Sequence, residues 1–139
     1  MTLVLIRHAE AGDREDWEGD DLRRPLDDRG RQQADRLLGL LASYPVGRVV
    51  SSPADRCVQT VEPLARARGL AIDVHDELGE ELQDTAGASL LRGLVKDAAA
   101  VSCHGGLSDA LIGESQKKGE AIVLELQDDR LVAIDRVRA

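Results

Sequence analysis

The sequence predicts an α/β protein, a three-layer α/β/α sandwich around a mostly parallel central sheet. Three observations carry that expectation. First, short apolar runs (Leu3–Ile6, Val49–Val50, Leu70–Val74 and Ala98–Cys103) take turns with longer stretches of helical periodicity. Such a rhythm implies parallel strands joined by helical crossovers, with helices on both faces of the sheet. Second, Leu3-Val4-Leu5-Ile6 is unbroken where a half-exposed strand would alternate, so it reads as a strand buried on both faces. Third, three of these runs stop abruptly at polar clusters: Arg7-His8, Ser51 to Arg56, and His104. In open sheets of this type, ligands bind just beyond the carboxyl ends of the strands.

The bulk composition sets bounds. A chain of 139 residues fits a single domain, 1–139, with room for one core and not for a second fold. The hydrophobic share of 42% is ordinary, but aromatic residues make up only 1% and Phe is absent, so Leu, Val, Ile and Ala must build the core. A formal net charge of -8 argues against a nucleic-acid partner, since binding its backbone needs clustered Lys and Arg. A locally positive pocket for a small phosphate remains compatible with it. No stretch approaches the roughly 20 apolar residues of a membrane span, and Met1 leads straight into a strand. A soluble, cytoplasmic protein without membrane partners is the expectation. Cys57 and Cys103 have neither the number nor the spacing of a disulfide framework or a zinc site, and read as reduced packing thiols. Nothing in the sequence sets the oligomeric state.

Taken in order, the strand at Leu3–Ile6 gives way to a charged, glycine-flanked loop from Ala11 to Asp21. It holds the single tryptophan, Trp17, either as a pin for the loop or as a flap offering a face on which a base could stack. Asp27 or Asp28 can cap a helix running to about Ser43, with Ala34, Leu37, Leu38 and Leu41 as its apolar stripe. Pro45 and Gly47 turn the chain into the strand at Val49–Val50. Ser52 is placed to cap the next helix, with Pro53 in its first turn; Gly69 is its stop, and Pro63 predicts a kink or an early end near Glu62. A strand at Leu70–Val74, a charged loop from His75 to Thr85, a short helix from Ala88 to Val95 and a strand at Ala98–Cys103 follow. Another short helix spans Leu107–Ile112 and stops at Gly113. Finally, Glu120–Leu126 and Leu131–Val137 flank Asp128-Asp129 as a terminal hairpin.

The polar clusters share one chemistry. A guanidinium is a planar fork of donors that matches a phosphate bidentately and stays charged at any working pH, so Arg7 and Arg56 suit two oxygens of a phosphoryl group. A histidine can act as nucleophile and split one hard displacement into two easier ones. Positive neighbours would keep His8 neutral and nucleophilic near pH 7. His104, with the amides of Gly105 and Gly106 beside it, would stabilise charge on the transferring group. A metal site made of His8, His104 and Glu80 is the competing arrangement, and two arginines in the same pocket would repel the cation.

These motifs also resemble a known family. Arg7-His8-Ala9-Glu10-Ala11-Gly12 looks like the RHG-type signature of the histidine phosphatase superfamily, which includes the phosphoglycerate mutases; Ala9 stands where many members have Gly. Ser51-Ser52-Pro53-Ala54-Asp55-Arg56-Cys57-Val58-Gln59-Thr60 matches its second element, with the S-P-x-x-R-x-x-Q-T core intact. Cys103-His104-Gly105-Gly106 resembles its third. Small size and the stretch Arg24-Pro25-Leu26-Asp27-Asp28-Arg29-Gly30-Arg31-Gln32-Gln33-Ala34 look most like the SixA-type phosphohistidine phosphatases, and Gly19 to Asp27 also resembles the phosphatase-like domain fused to Nudix hydrolases in mycobacteria.

The resemblance implies a hydrolase in which His8 is phosphorylated while Arg7, Arg56 and His104 complete the phosphate pocket, Gly105 and Ser52 joining them in binding substrate. It implies no metal and no organic cofactor. The substrate it implies is a phosphorylated small molecule, such as a sugar phosphate or nucleotide, or a phosphohistidine protein. A module that only binds phosphorylated ligands is the non-catalytic alternative. The family's proton donor, a Glu in an L-x-E context, falls on Leu78-Gly79-Glu80, with Glu77 and Glu81 close by, and the SixA-type members can lack this acid altogether.

Overall fold

A computed structural model describes residues 1–139. The chain forms β1 (Thr2–Arg7), α1 (Asp28–Leu40), β2 (Arg48–Ser51), α2 (Asp55–Arg68), β3 (Ile72–Val74), α3 (Ala88–Leu94), β4 (Ala99–Cys103), α4 (Leu107–Ile112), β5 (Glu120–Gln127) and β6 (Arg130–Arg138). They build one six-stranded sheet in the order β3-β2-β4-β1-β5-β6. The pairs β3–β2, β2–β4 and β4–β1 are parallel; β5 and β6 join antiparallel to the far side of β1. The α/β sandwich expected from the sequence is therefore the fold observed. Because β1, β2 and β4 are neighbours and parallel, their polar carboxyl ends lie along a single edge.

Alternate residues of the strands feed opposite layers. Leu3, Leu5, Val101 and Cys103 point to one face, where Leu91, Leu94 and Leu107 from α3 and α4 cover them. Val4, Ile6, Val49 and Ala100 point to the other, beneath Leu37 of α1 and Val61 and Leu64 of α2. Each fully buried Leu, Ile or Val side chain contributes about 1.5–3 kcal/mol relative to exposure, so the unbroken run Leu3–Ile6 anchors both halves of the core.

Local chemistry fixes most ends. The Asp27 carboxylate accepts the Gly30 N–H at 2.8 Å and caps α1. That helix ends at Leu40, short of the expected Ser43, and residues 41–44 form a tight turn. Asp128 and Asp129 adopt positive φ (49° and 64°), as a two-residue hairpin turn demands. The start of α2 departs from expectation. Its N-cap is Ala54, without a side-chain cap, and the Ser52 hydroxyl is committed elsewhere. Pro63 does not end the helix, which continues to Arg68 and closes at Gly69 in the left-handed conformation. The segment read as a charged loop contains a single-turn 3₁₀ helix at Asp76–Leu78 and a π-helical turn at Gln83–Gly87.

Candidate active site

At the carboxyl edge of the sheet lies a cleft of ≈ 480 Å³, lined by Arg7, His8, Arg14, Glu80, His104 and Gly105 among others, with no hydrophobic residue on its walls. The strand ends deliver the first of these. His8 N–H donates to the Cys103 carbonyl at 2.9 Å, continuing the β1–β4 ladder, and Ala9 N–H donates to Thr60 Oγ1 at 3.0 Å. Leu26 N–H donates to Gln59 Oε1 at 2.9 Å. The Gln-Thr of the second motif thus ties down the segments that flank the cleft.

His8 is almost wholly buried. Its Nδ1 lies 2.8 Å from the Ala9 carbonyl, which can only accept, so Nδ1 carries the proton and the lone pair resides on Nε2. Burial pushes its pKa down to about 3; the hydrogen bond to Ala9 opposes the shift, and the charges of Arg56, His104 and Arg7 add to it. The sequence expectation of a neutral His8 holds, but its main cause is desolvation, with the arginines secondary. His104 sits 5.7 Å away, ring centroid to centroid, edge to face. Burial, followed by the Arg56 charge, lowers its pKa to about 4, against the pull of Glu80.

Arg7 donates from Nη1 to the Gln116 carbonyl at 2.6 Å. A Cβ on Gly105 would lie 2.8 Å from Arg7 Cζ, so a larger residue there would displace the guanidinium. Gly106, at φ 102°, then turns it into α4. Arg56 is 1% exposed and is held by Asp21 and Glu80: Nη1 to Asp21 O at 2.8 Å, Nη2 to Asp21 Oδ2 at 3.1 Å and to Glu80 Oε1 at 2.6 Å. The same Glu80 oxygen accepts from Arg14 and lies 3.3 Å from His104 Nδ1. A carboxylate thus occupies donors that a phosphoryl group would use. Burial acts to raise the Glu80 carboxyl, but the hydrogen bond from Arg14 and the charges of His104, Arg14 and Arg56 outweigh it and hold it below the usual carboxylate value.

One sequence expectation changes. Ser52 does not line the cleft; it is buried behind His104, its Oγ 2.8 Å from Nε2, and so orients that ring. Trp17 lies outside this cleft as well, its indole N–H bonded within its own loop to Asp20 O at 3.0 Å, in keeping with the pin of the two readings above. The loop itself is pinned by Arg24, buried by donating to the carbonyls of Ala11 at 2.7 Å and Gly12 at 3.1 Å. Of the three neighbouring glutamates, Glu80 alone lines this cleft. Gln83 escaped sequence analysis. From the π-helical turn it accepts the His104 N–H at 3.2 Å and donates to Gly105 O at 2.9 Å, clamping the third motif.

Residues 3–90 match the family model of the histidine phosphatase superfamily (branch 1). The chain belongs to that superfamily. It is 30% identical, over 151 aligned positions, to the 8-oxo-(d)GTP phosphatase of Mycolicibacterium smegmatis, a match covering 96% of this chain and 47% of the relative. The chain thus spans about half the length of the curated relative it matches. A solved structure from Agrobacterium tumefaciens, described as a SixA phosphohistidine phosphatase, superposes with a TM-score of 0.81 at 26% identity, covering 99% of this chain and 98% of the other. The protein histidine phosphatase SixA complexed with tungstate gives 0.78 at 22% identity (99% and 97% covered). A mycobacterial glucosyl-3-phosphoglycerate phosphatase complexed with VO3 gives 0.77 at 17% (99% of each). The last two share the histidine phosphatase fold.

The buried histidines give this superfamily member a characteristic acid response. Unfolded, both titrate near 6.5; folded, at about 3 and about 4. Between pH 6.5 and 4 the unfolded chain therefore binds more protons, and stability must fall as pH falls, by up to about 1.4 kcal/mol per pH unit for each histidine. Urea denaturation measured from pH 7 to pH 4.5 is expected to show this slope, and His8→Gln to remove the share of His8. A flat profile across that window would contradict the burial of the pair.

Proposed function

We propose that the protein is a phosphohistidine phosphatase acting through a covalent intermediate on His8. Arg7, Arg56 and His104 hold the phosphoryl group. The His8 Nε2 lone pair attacks phosphorus in line, the bond to the substrate imidazole breaks, and its electron pair leaves with that nitrogen. Water then attacks the phosphoimidazole, the P–Nε2 bond breaks, and inorganic phosphate departs with His8 regenerated. No step calls for a metal or an organic cofactor.

The observation that carries this choice of substrate is the pairing of Glu80, whose Oε1 accepts from both Arg14 and Arg56. A phosphate ester leaves as an alkoxide unless it is protonated, so its cleavage draws on a general acid worth roughly 10²–10⁴-fold. The carboxylate nearest His104 is instead engaged by two guanidinium groups, those of Arg14 and Arg56, which favour its ionised form. An imidazole leaving group, protonated on its other nitrogen, needs no such acid. Likeness over nearly the whole chain to SixA-type structures supports the same substrate. A nucleotide phosphate is the second reading, favoured by the mycobacterial relative. A cleft without any apolar wall, and with Trp17 outside it, offers no surface on which a base could stack.

Glu80→Gln separates the two. Phosphoimidazole hydrolysis is expected to stay within a few-fold of wild type, whereas loss of an acid would lower alkyl phosphate hydrolysis by the factor of about 10²–10⁴ given above. A phosphoryl group that took Arg56 away from Glu80 would raise its pKa, so a wild-type enzyme fast on alkyl phosphates and crippled by Glu80→Gln would overturn the phosphohistidine assignment. Both substrates are assayed side by side, because an activated aryl phosphate hides the need for an acid.

A further inference from the structure

We infer that a second cleft, beside Leu22 and Leu82, docks the phosphohistidine-bearing protein through a segment that carries an apolar side chain and basic side chains next to the modified histidine. This rests on the phosphohistidine substrate proposed above.

The cleft measures ≈ 430 Å³ and shares Arg14, Glu80 and His104 with the catalytic cleft; Arg56 lines it too. His8 lines the catalytic cleft only. In-line attack puts the leaving group opposite His8 Nε2, so the remainder of the substrate extends away from His8. Glu80 and His104 line both clefts, so the second cleft adjoins the first on a side without His8.

Its walls have a definite character. Leu22 and Leu82 are 45% and 48% exposed, and they come from two different segments to meet the same cleft alongside Pro53. Single exposed leucines are common on protein surfaces, whereas two converging on a cleft that adjoins a reaction centre form a contact surface. The cations of this cleft are already engaged, Arg14 and Arg56 both with Asp21 and Glu80. Asp20, Asp76 and Glu81 line the same cleft and form no ion pair. The surface is thus an apolar shelf within an acidic rim. It repels a polyphosphate chain and complements a peptide in which Lys or Arg flanks an apolar residue. The chain's overall charge of -8 extends the same bias to longer range.

The test compares N-phosphoimidazole with two synthetic phosphohistidine peptides of equal length. One carries leucine and two lysines around the phosphohistidine; in the other, serine and two glutamates replace them. The basic peptide is expected to show a kcat/KM about tenfold or more above the acidic one, chiefly through KM, and to lose that advantage in high salt. Leu82→Ser combined with Asp76→Lys should raise KM for the basic peptide by about tenfold, a loss of about 1.4 kcal/mol, and leave phosphoimidazole turnover unchanged, which also shows that the variant folds. Equal kcat/KM for both peptides, or a double variant that treats the basic peptide like wild type, removes the docking surface and leaves the phosphohistidine substrate standing. Inert phosphoimidazole and inert peptides, beside an alkyl phosphate that turns over, remove both.

Discussion

His8→Ala is expected to abolish phosphohydrolase activity, with kcat falling on the order of 10⁴-fold or more, as when the nucleophile of a two-step hydrolase is removed. The wild-type protein should correspondingly trap a phosphoryl group on His8. Geometry dictates which atom carries it. Nδ1 is spent on the Ala9 carbonyl, so the adduct forms at Nε2, the ring nitrogen that keeps its lone pair. The low pKa of His8 means that this lone pair stays available throughout the physiological range and well below it. Rapid acid-free quenching followed by mass spectrometry should find one added phosphoryl group on the peptide containing His8, labile in acid and stable in base. His8→Ala should show none. Undiminished turnover by His8→Ala, or an adduct on another residue, would remove the covalent mechanism. His8→Gln is the companion variant: it keeps a polar side chain in the buried site, so that loss of activity is separable from loss of folding.

Much of this architecture was legible in the sequence because it is written in periodicity. The Leu3–Ile6 run, the Ala34/Leu37/Leu41 stripe and the Gly69 and Gly113 stops each translate directly into a strand, a helix face and two helix ends. The polar clusters were legible too, because adjacent parallel strands oblige their carboxyl ends to converge. What the pattern could not encode was how the polar groups pair across long separations. Asp21 and Glu80 reach Arg56 from 35 and 24 residues away, and Gln83 meets His104 from a turn whose composition reads as loop. Ser52 shows the difficulty most directly. A serine directly before Pro53 satisfies the rule for a helix cap, but a buried imidazole nitrogen needs a partner, and an unpaired buried polar group costs about 1–3 kcal/mol. The hydroxyl therefore turns to His104 at 2.8 Å and leaves α2 uncapped by a side chain. Gln59 and Thr60 are the reverse case: they are legible as a motif, and their part in this structure is to hold Leu26 and Ala9 in place.

Arg56→Lys should lower kcat/KM by ~10²-fold or more, about 2.7 kcal/mol of transition-state stabilisation at 1.36 kcal/mol per tenfold. The charge survives this substitution, so a role as a simple counter-ion would predict almost no effect. The planar fork does not survive it. Nη1 and Nη2 act on separate partners, Asp21 O on one side and the carboxylates of Asp21 and Glu80 on the other, and the phosphoryl group must draw donors from that same fork. Lysine presents three donors around a single nitrogen on a flexible stem and cannot span these positions at once. Arg56 is also 1% exposed, so an ammonium placed there would be desolvated without the full complement of partners, and some loss of stability is expected along with the loss of rate. The two effects separate experimentally. Denaturation at the assay temperature reports the folded fraction, and kcat/KM per folded molecule reports the lost fork. The covalent adduct supplies a third readout: in the proposed mechanism Arg56 holds the phosphoryl group during transfer in both directions, so Arg56→Lys should slow formation and hydrolysis of phospho-His8 together. A folded Arg56→Lys protein with near wild-type turnover would show that Arg56 serves only to anchor Asp21 and Glu80, and would leave Arg7 and His104 alone to hold the phosphoryl group.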